Sequence, residues 1–417
     1  MRRRDFLASS ALFASSAGLA RSDDRDWLAD RFARIDAAAA EPVLRRELFA
    51  EPVRIASVEL LERDGEHLCR VRSDDGSVGL SVSNSLWMNE LHPVFVRRVA
   101  PAFVGRDARD LESLLVDAYR FRSNYKMRSL AVWVPVATVE FAILDLLGRR
   151  AGVPVGALLT QRPLADRVEM YRANNNRGRS VAETLESVRR LVANSGATAL
   201  KIKVGGRMGE PERPPGRTRR LIPAIREAFP DLTLFADANG GYDAAEAIDV
   251  ARRLEEHDFE LFEAPVPPDW YDAMAEVTAA TAIRTAGGEQ EPSLRRFRWM
   301  MAHAAFDVYQ PDLFYFGGMI RCVRVARMAA AVGAEIMPHI SGVGLGLVYM
   351  LHYVSAIANA TRLHEYKGVS GIPVSSETSL LHAEFGQVAV PSGPGLGVTL
   401  DADWVNGFRP IGESTDR

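Results

Sequence analysis

The sequence predicts an α/β protein in which eight strands alternate with helices and close into a barrel, preceded by an α+β domain. Three observations predict it. From about residue 168, short apolar runs alternate with amphipathic helical stretches. Before that point, strand-like runs are separated by tight turns instead. Finally, acidic and imidazole side chains recur at the ends of the later runs at a nearly constant interval.

The first third begins, after a polar, alanine-rich lead to about residue 50, with strand-like runs at 54–61, 68–72 and 78–82. The turns Asp64-Gly65 and Asp75-Gly76 between them are strong signals for antiparallel hairpins. Helical patterns at 110–121 and 137–149 follow, which makes 50–165 an α+β domain. The barrel, 166–374, has its runs at 168–173, 199–204, 232–236, 259–262, 282–286, 306–309 and 334–337, with a weaker one near Leu363. Amphipathic stretches such as 244–256 and 320–332 lie between them, and a doubly wound open sheet would account for only part of this pattern. The remainder, 375–417, reads as a segment returning to the first domain.

Bulk properties narrow the function. A chain of 417 residues can hold more than one core. With 51 basic against 54 acidic residues there is no positive field of the kind that binds nucleic acid. Two cysteines, Cys69 and Cys322, make neither a disulfide framework nor a thiolate metal cluster. The opening Met1-Arg2-Arg3-Arg4, a mildly apolar stretch and Gly18-Leu19-Ala20 read as an export signal over 1–20, its paired arginines pointing to the twin-arginine route. The expectation is a periplasmic or secreted mature protein with no membrane segment.

The chemistry lies in the spacing. From Asp237, intervals of 26, 26, 23, 27 and 26 residues lead to Glu263, Glu289, Asp312, His339 and Glu365. One β/α unit has about this length, so each side chain returns to the same end of a neighbouring strand, where barrels gather catalytic groups. Asp237, Glu263 and Glu289 would repel one another by about 4 kcal/mol per close pair at an effective dielectric near 20. A divalent cation removes that cost, and oxygen-only donors suit Mg²⁺. Lys201-Ile202-Lys203 places two lysines on one strand face; close together and near a metal, they favour a neutral, proton-accepting amine. Asp312 beside His339 would orient the imidazole as an acid or base. Glu365 is expected to meet the substrate carboxylate, in protonated form because of nearby negative charge.

Lys201-Ile202-Lys203, Asp237-Ala238-Asn239, Glu263-Ala264-Pro265, Gly288-Glu289, Gln310-Pro311-Asp312, Pro338-His339 and Glu365, in this order, resemble the enolase superfamily in its mandelate racemase subgroup. The resemblance spans about residues 50–400. It implies a modified TIM barrel, (β/α)7β, capped by the N-terminal α+β domain, with Mg²⁺ on Asp237, Glu263 and Glu289. It further implies Lys203 and His339, the latter activated by Asp312, as the two acid/base groups, with Lys201 and Glu365 assisting the carboxylate oxygens, and a homo-oligomer, dimer or octamer. The turn Arg63-Asp64-Gly65-Glu66 is short where many relatives carry a long lid, and the Gly-, Pro- and Arg-rich stretch 207–220 lengthens the interval after the lysines.

The substrate is then a small carboxylic acid. Dehydration of an acid sugar to a 2-keto-3-deoxy acid is the favoured reaction, with Arg172, Asn174, Asn175 and Asn176 as candidates to bind a hydroxylated tail and Asn239 as a further substrate-binding candidate. Racemisation or epimerisation of a 2-hydroxy acid uses the same groups. An exported, non-catalytic sugar-acid-binding protein would not need both proton-transfer groups, and a two-carboxylate glycosidase leaves the lysine pair unexplained.

Overall fold

The computed structural model describes residues 20–342 and 344–411, with side chains from residue 26 onward. Apart from Ala20, the export segment 1–20 lies outside the described residues. The alanine-rich lead is a helix, α1 (Ala20–Ala40), lying along the outside of the barrel. Arg31 donates to the Met301 carbonyl at 2.6 Å, and Asp36 pairs with Arg298 at 2.5 Å.

The hairpin signals produce β1 (Ile55–Arg63), β2 (Glu66–Ser73) and β3 (Val78–Val82), an antiparallel sheet with turns at Asp64-Gly65 and Asp75-Gly76. Leu60, Leu68, Cys69 and Val71 are buried beneath it. The short helices α2 (Met88–Val94) and α3 (Leu111–Arg120) follow, then α4 (Leu130–Ala151). Helix α4 is long and apolar enough to cross a membrane, but 89% of its most apolar window is buried inside the protein. It starts before the pattern at 137 because Val132, Trp133, Val134 and Val136 are buried all round, which erases helical periodicity.

Two buried carboxylates on α4 bind the parts of the molecule together. Asp145 accepts from the backbone N–H groups of Leu80 in β3 and Leu396 in the last segment, at 3.0 and 2.9 Å. Glu140 accepts from Met319 and Ile320, both at 2.8 Å, and so caps the first turn of a barrel helix. Burial pushes the Glu140 carboxyl up to about 8, against the pull of these donors and of Arg321. A carboxyl raised on folding favours the folded state when protonated. That stability is complete below the ordinary value of 4.5 and is lost as pH rises towards about 8. The unfolding temperature of the native protein is therefore expected to decline between about pH 5 and 8, and that of Glu140→Gln to decline less. Parallel melting curves for the two across that range would contradict the assignment.

The barrel strands are β4 (Arg167–Asn174), β5 (Ala199–Lys203), β6 (Thr233–Asp237), β7 (Leu261–Glu263), β8 (Arg284–Gly287), β9 (Val308–Tyr309), β10 (Glu335–Ile336) and β11 (Leu363–Glu365). All are parallel, in the order β10-β9-β8-β7-β6-β5-β4-β11. A bridge between Ile336 and Ala360 closes the seam beside β11. Seven long helices alternate with the eight strands: α6 (Val181–Ser195), α7 (Arg217–Ala228), α8 (Ala244–Glu256), α9 (Tyr271–Ala280), α10 (Leu294–Ala302), α11 (Met319–Ala330) and α12 (Gly346–Ala356), after the short α5 (Val155–Leu159). No helix intervenes between β11 and β12 (Val374–Ser375), so the barrel is of the (β/α)7β form. Reciprocal capping boxes, Ser180 with Glu183 and Asp243 with Glu246, start α6 and α8.

One buried side chain from each strand or its immediate extension fills the barrel's interior: Tyr171, Ala199, Phe235, Leu261, Ala286, Val308, Met337 and Leu363. This layer sets which positions face inward at the mouth above it. The last segment contributes β13 (Gln387–Ala389), antiparallel on β4, before β14 (Thr399–Leu400), the short helix α13 (Ala402–Asn406) and β15 (Arg409–Pro410), which adds to β1 of the N-terminal sheet.

Candidate active site

Counting two residues onward from the interior layer gives the site. Lys201 and Lys203 follow Ala199, Asp237 follows Phe235, Glu263 follows Leu261, His339 follows Met337, and Glu365 follows Leu363. Lys203, Asp237 and Glu263 stand abreast on β5, β6 and β7. Glu289 lies just past β8, and Asp312 and His339 are bridged beyond β9 and β10. Together with Lys201 and Glu365, all but Asp312 line one cavity of about 640 Å³. Residues of the N-terminal domain, Leu86, Trp87, Ser129 and Leu130, form part of its rim. Trp87 crosses to the barrel, donating from Nε1 to Tyr315 at 2.8 Å.

On one wall, Asp312 accepts from the Phe314 and Tyr315 backbone N–H groups, both at 2.8 Å, on one oxygen. Its other oxygen meets His339 Nδ1 at 2.6 Å. His339 Nε2 is thereby turned to the cavity, 3.5 Å from Glu289. Burial disfavours the imidazolium, but Glu289 and Asp312 outweigh it and hold the His339 pKa above its ordinary value.

On the facing wall, Lys201 Nζ contacts both Glu263 oxygens, at 3.0 and 2.9 Å, and Glu365 at 2.9 Å. Burial works to lower Lys201, yet Glu263 and Glu365 prevail and leave it well above the usual lysine range. The expected neutral amine is therefore not found at Lys201, which is a fixed positive charge. Glu365 corrects a second expectation: burial raises it, but Lys201 and then Lys367, 3.6 Å away, hold it well below the usual carboxylate range. It is ionised, because the charges facing it are lysines. Lys203 pairs with Asp237.

Arg172 and Asn174 are not part of the cavity. They fall on the opposite parity from inward-facing Tyr171, so Arg172 stacks over the Tyr366 ring at 4.0 Å and Asn174 donates to Ser187 at 3.3 Å. Asn175, of the same candidate group, does line the cavity. Asn239 does lie at the mouth, where it donates to both Asp237 oxygens and accepts from Arg177. Gln310 and Lys367 add contacts the sequence reading left out. Gln310 donates to Glu263 at 3.0 Å, and each of the two stands two residues from a predicted site residue, the period that places it on the same face.

Among the described residues, no three carboxylate, imidazole or thiol groups converge closely enough to hold an ion as placed; Lys201 and Lys203 reach between the acids. The donor set itself suits a hard divalent cation, being three carboxylates on successive strand ends. Glu263 supports the fit: burial, with the charges of Asp237 and Glu289, pushes it up to about 7 despite Lys201. Added positive charge would relieve that position.

Fold and site together define the class. Residues 183–404 match the family described as enolase C-terminal domain-like, and 43–160 match the mandelate racemase / muconate lactonizing enzyme N-terminal domain. The chain belongs to the enolase superfamily, in its mandelate racemase / muconate lactonizing enzyme subgroup. It is similar to D-galactarolactone cycloisomerase of Agrobacterium fabrum, with 28% identity over 86% of this chain and 94% of that protein. Arabinonate dehydratase of Saccharolobus solfataricus is 26% identical over 79% of this chain and 87% of its own length. A crystal structure of a mandelate racemase/muconate lactonizing protein from Paracoccus denitrificans PD1222, complexed with magnesium, superposes with a TM-score of 0.76. It shares 27% identity and covers 86% of this chain and 99% of that one. Such similarity to catalytic members places this chain among enzymes.

Proposed function

We propose that this enzyme removes the α-proton of a hydroxy- or sugar-acid carboxylate to give an enediolate, and that it dehydrates an acid sugar to a 2-keto-3-deoxy acid. The observation that carries this reading is that Lys203 and His339, the latter backed by Asp312, line one cavity together with the three carboxylates Asp237, Glu263 and Glu289. Asp237, Glu263 and Glu289 would hold Mg²⁺, which when bound stabilises negative charge on the substrate carboxylate.

Lys203 takes the α-proton, and the electron pair of that C–H bond moves into the carboxylate. Lys201, kept positive by Glu263 and Glu365, stabilises the charge as it develops. His339, oriented by Asp312 at 2.6 Å, gives its proton to the departing β-hydroxyl, which leaves as water. The enol that remains tautomerises to the 2-keto acid. Similarity to a protein named arabinonate dehydratase supports this course.

The same two groups equally favour racemisation, in which one removes the proton and the other returns it. Both readings are tested by incubating the enzyme with Mg²⁺ and a library of mono- and diacid sugars in D₂O. Dehydration is expected to yield 2-keto acid; deuterium entering the α-position without keto product would select racemisation. If acids that bind show neither, proton abstraction is refuted for them.

A further inference from the structure

We propose that the substrate carries a second carboxylate at its far end, and that Arg207 and Arg213 receive it in a side chamber beyond Lys203. This rests on the acid-binding reading above and specifies it. The chamber is a second cavity of about 470 Å³. It shares Asn175, Lys203 and Arg207 with the main cavity, so the two adjoin at Lys203 and a molecule whose α-carbon lies there can extend its tail into the chamber.

The chamber is strongly basic. Arg177, Lys203, Arg207 and Arg213 line it, against Glu210 as the one acidic lining residue among those described. These cations are not equivalent. Arg177 is committed to the protein, donating to the Val204, Gly205 and Asp237 carbonyls and to Asn239 at 2.8–3.2 Å. Lys203 contacts Asp237 and serves as the base of the proposed reaction. The side chains of Arg207 and Arg213 are exposed and make neither an ion pair nor a hydrogen bond among the described residues. Guanidinium groups suit carboxylates because their paired N–H donors match the two oxygens.

The turn and the strand end that line the chamber are held by a buried arginine. Arg217, 1% exposed, donates to the Asn176, Arg179 and Lys203 carbonyls at 2.7–3.1 Å and ties the turn after β4 to the end of β5. The Gly-, Pro- and Arg-rich stretch that lengthens the interval after the lysines thus supplies the rim. It adds cationic side chains without carboxylate partners of their own.

The test is calorimetric titration of the full chain, with Mg²⁺, by matched acids that differ only at the terminal carbon: galactonate and galactarate, gluconate and glucarate, xylonate and xylarate. For the configuration that binds, the diacid is expected to bind about tenfold tighter or more. That preference should fall towards parity in the Arg207→Gln/Arg213→Gln variant and weaken in high salt. A native protein without preference, or a preference undiminished in the variant, would overturn the inference while leaving the acid-binding reading intact. If no acid binds or exchanges its α-proton, both are overturned.

Discussion

His339→Asn is expected to lower turnover by about a thousandfold while leaving Mg²⁺ affinity within a few-fold of native. Asparagine can keep a hydrogen bond to Asp312 but has no titrating nitrogen to present to the cavity. Because Asp312 is itself anchored by the Phe314 and Tyr315 N–H groups, the wall should survive the change. A pH profile adds a second readout. Burial favours the neutral ring, but Glu289 and Asp312 keep His339 protonated to higher pH than a free imidazole. If His339 acts as the acid, the rate falls as pH rises through that raised value. Asp312→Asn removes one of the two supports, so the falling limb should move to lower pH. Loss of metal binding in His339→Asn, or an unmoved limb in Asp312→Asn, would contradict these roles.

What could be read without the structure was what repeats. The interval between Asp237, Glu263 and Glu289 is the length of a β/α unit, so the barrel and its carboxylates are written in one-dimensional spacing. Parity within a strand was equally available, and it would have removed Arg172 and Asn174, which alternate with inward Tyr171, and added Gln310 and Lys367. Other features leave no such trace. Trp87 reaches the mouth from an irregular loop, and α4 is apolar on every side, so neither shows a period. The charge states of Lys201 and Glu365 depend on which groups meet across the barrel. Sequence places one within a strand and the other at a strand end, but only the three-dimensional contact makes each the other's counter-ion.

Glu263→Gln is expected to separate two effects of opposite sign. Glu263 is 1% exposed, and burial with its acidic neighbours disfavours its charge even though Lys201 and Gln310 contact it. Glutamine removes that strained charge, while Lys201 keeps Glu365 as counter-ion at 2.9 Å. In a chelator the variant should therefore melt close to the native protein or above it. Added Mg²⁺ should then separate them. A cation at about a hundred times its dissociation constant stabilises a folded protein by about 2.7 kcal/mol. The native protein is expected to gain that increment, and the variant, lacking one of three ligands, to lose nearly all of it together with turnover. The same scan decides the competing role. Were Glu365 unable to compensate Lys201 by itself, the loss of Glu263 would leave a buried cation undercompensated, at about 3–5 kcal/mol, and the variant would melt far below native already in the chelator. The sign of the change without metal thus distinguishes a ligand held ready for a cation from half of a buried ion pair.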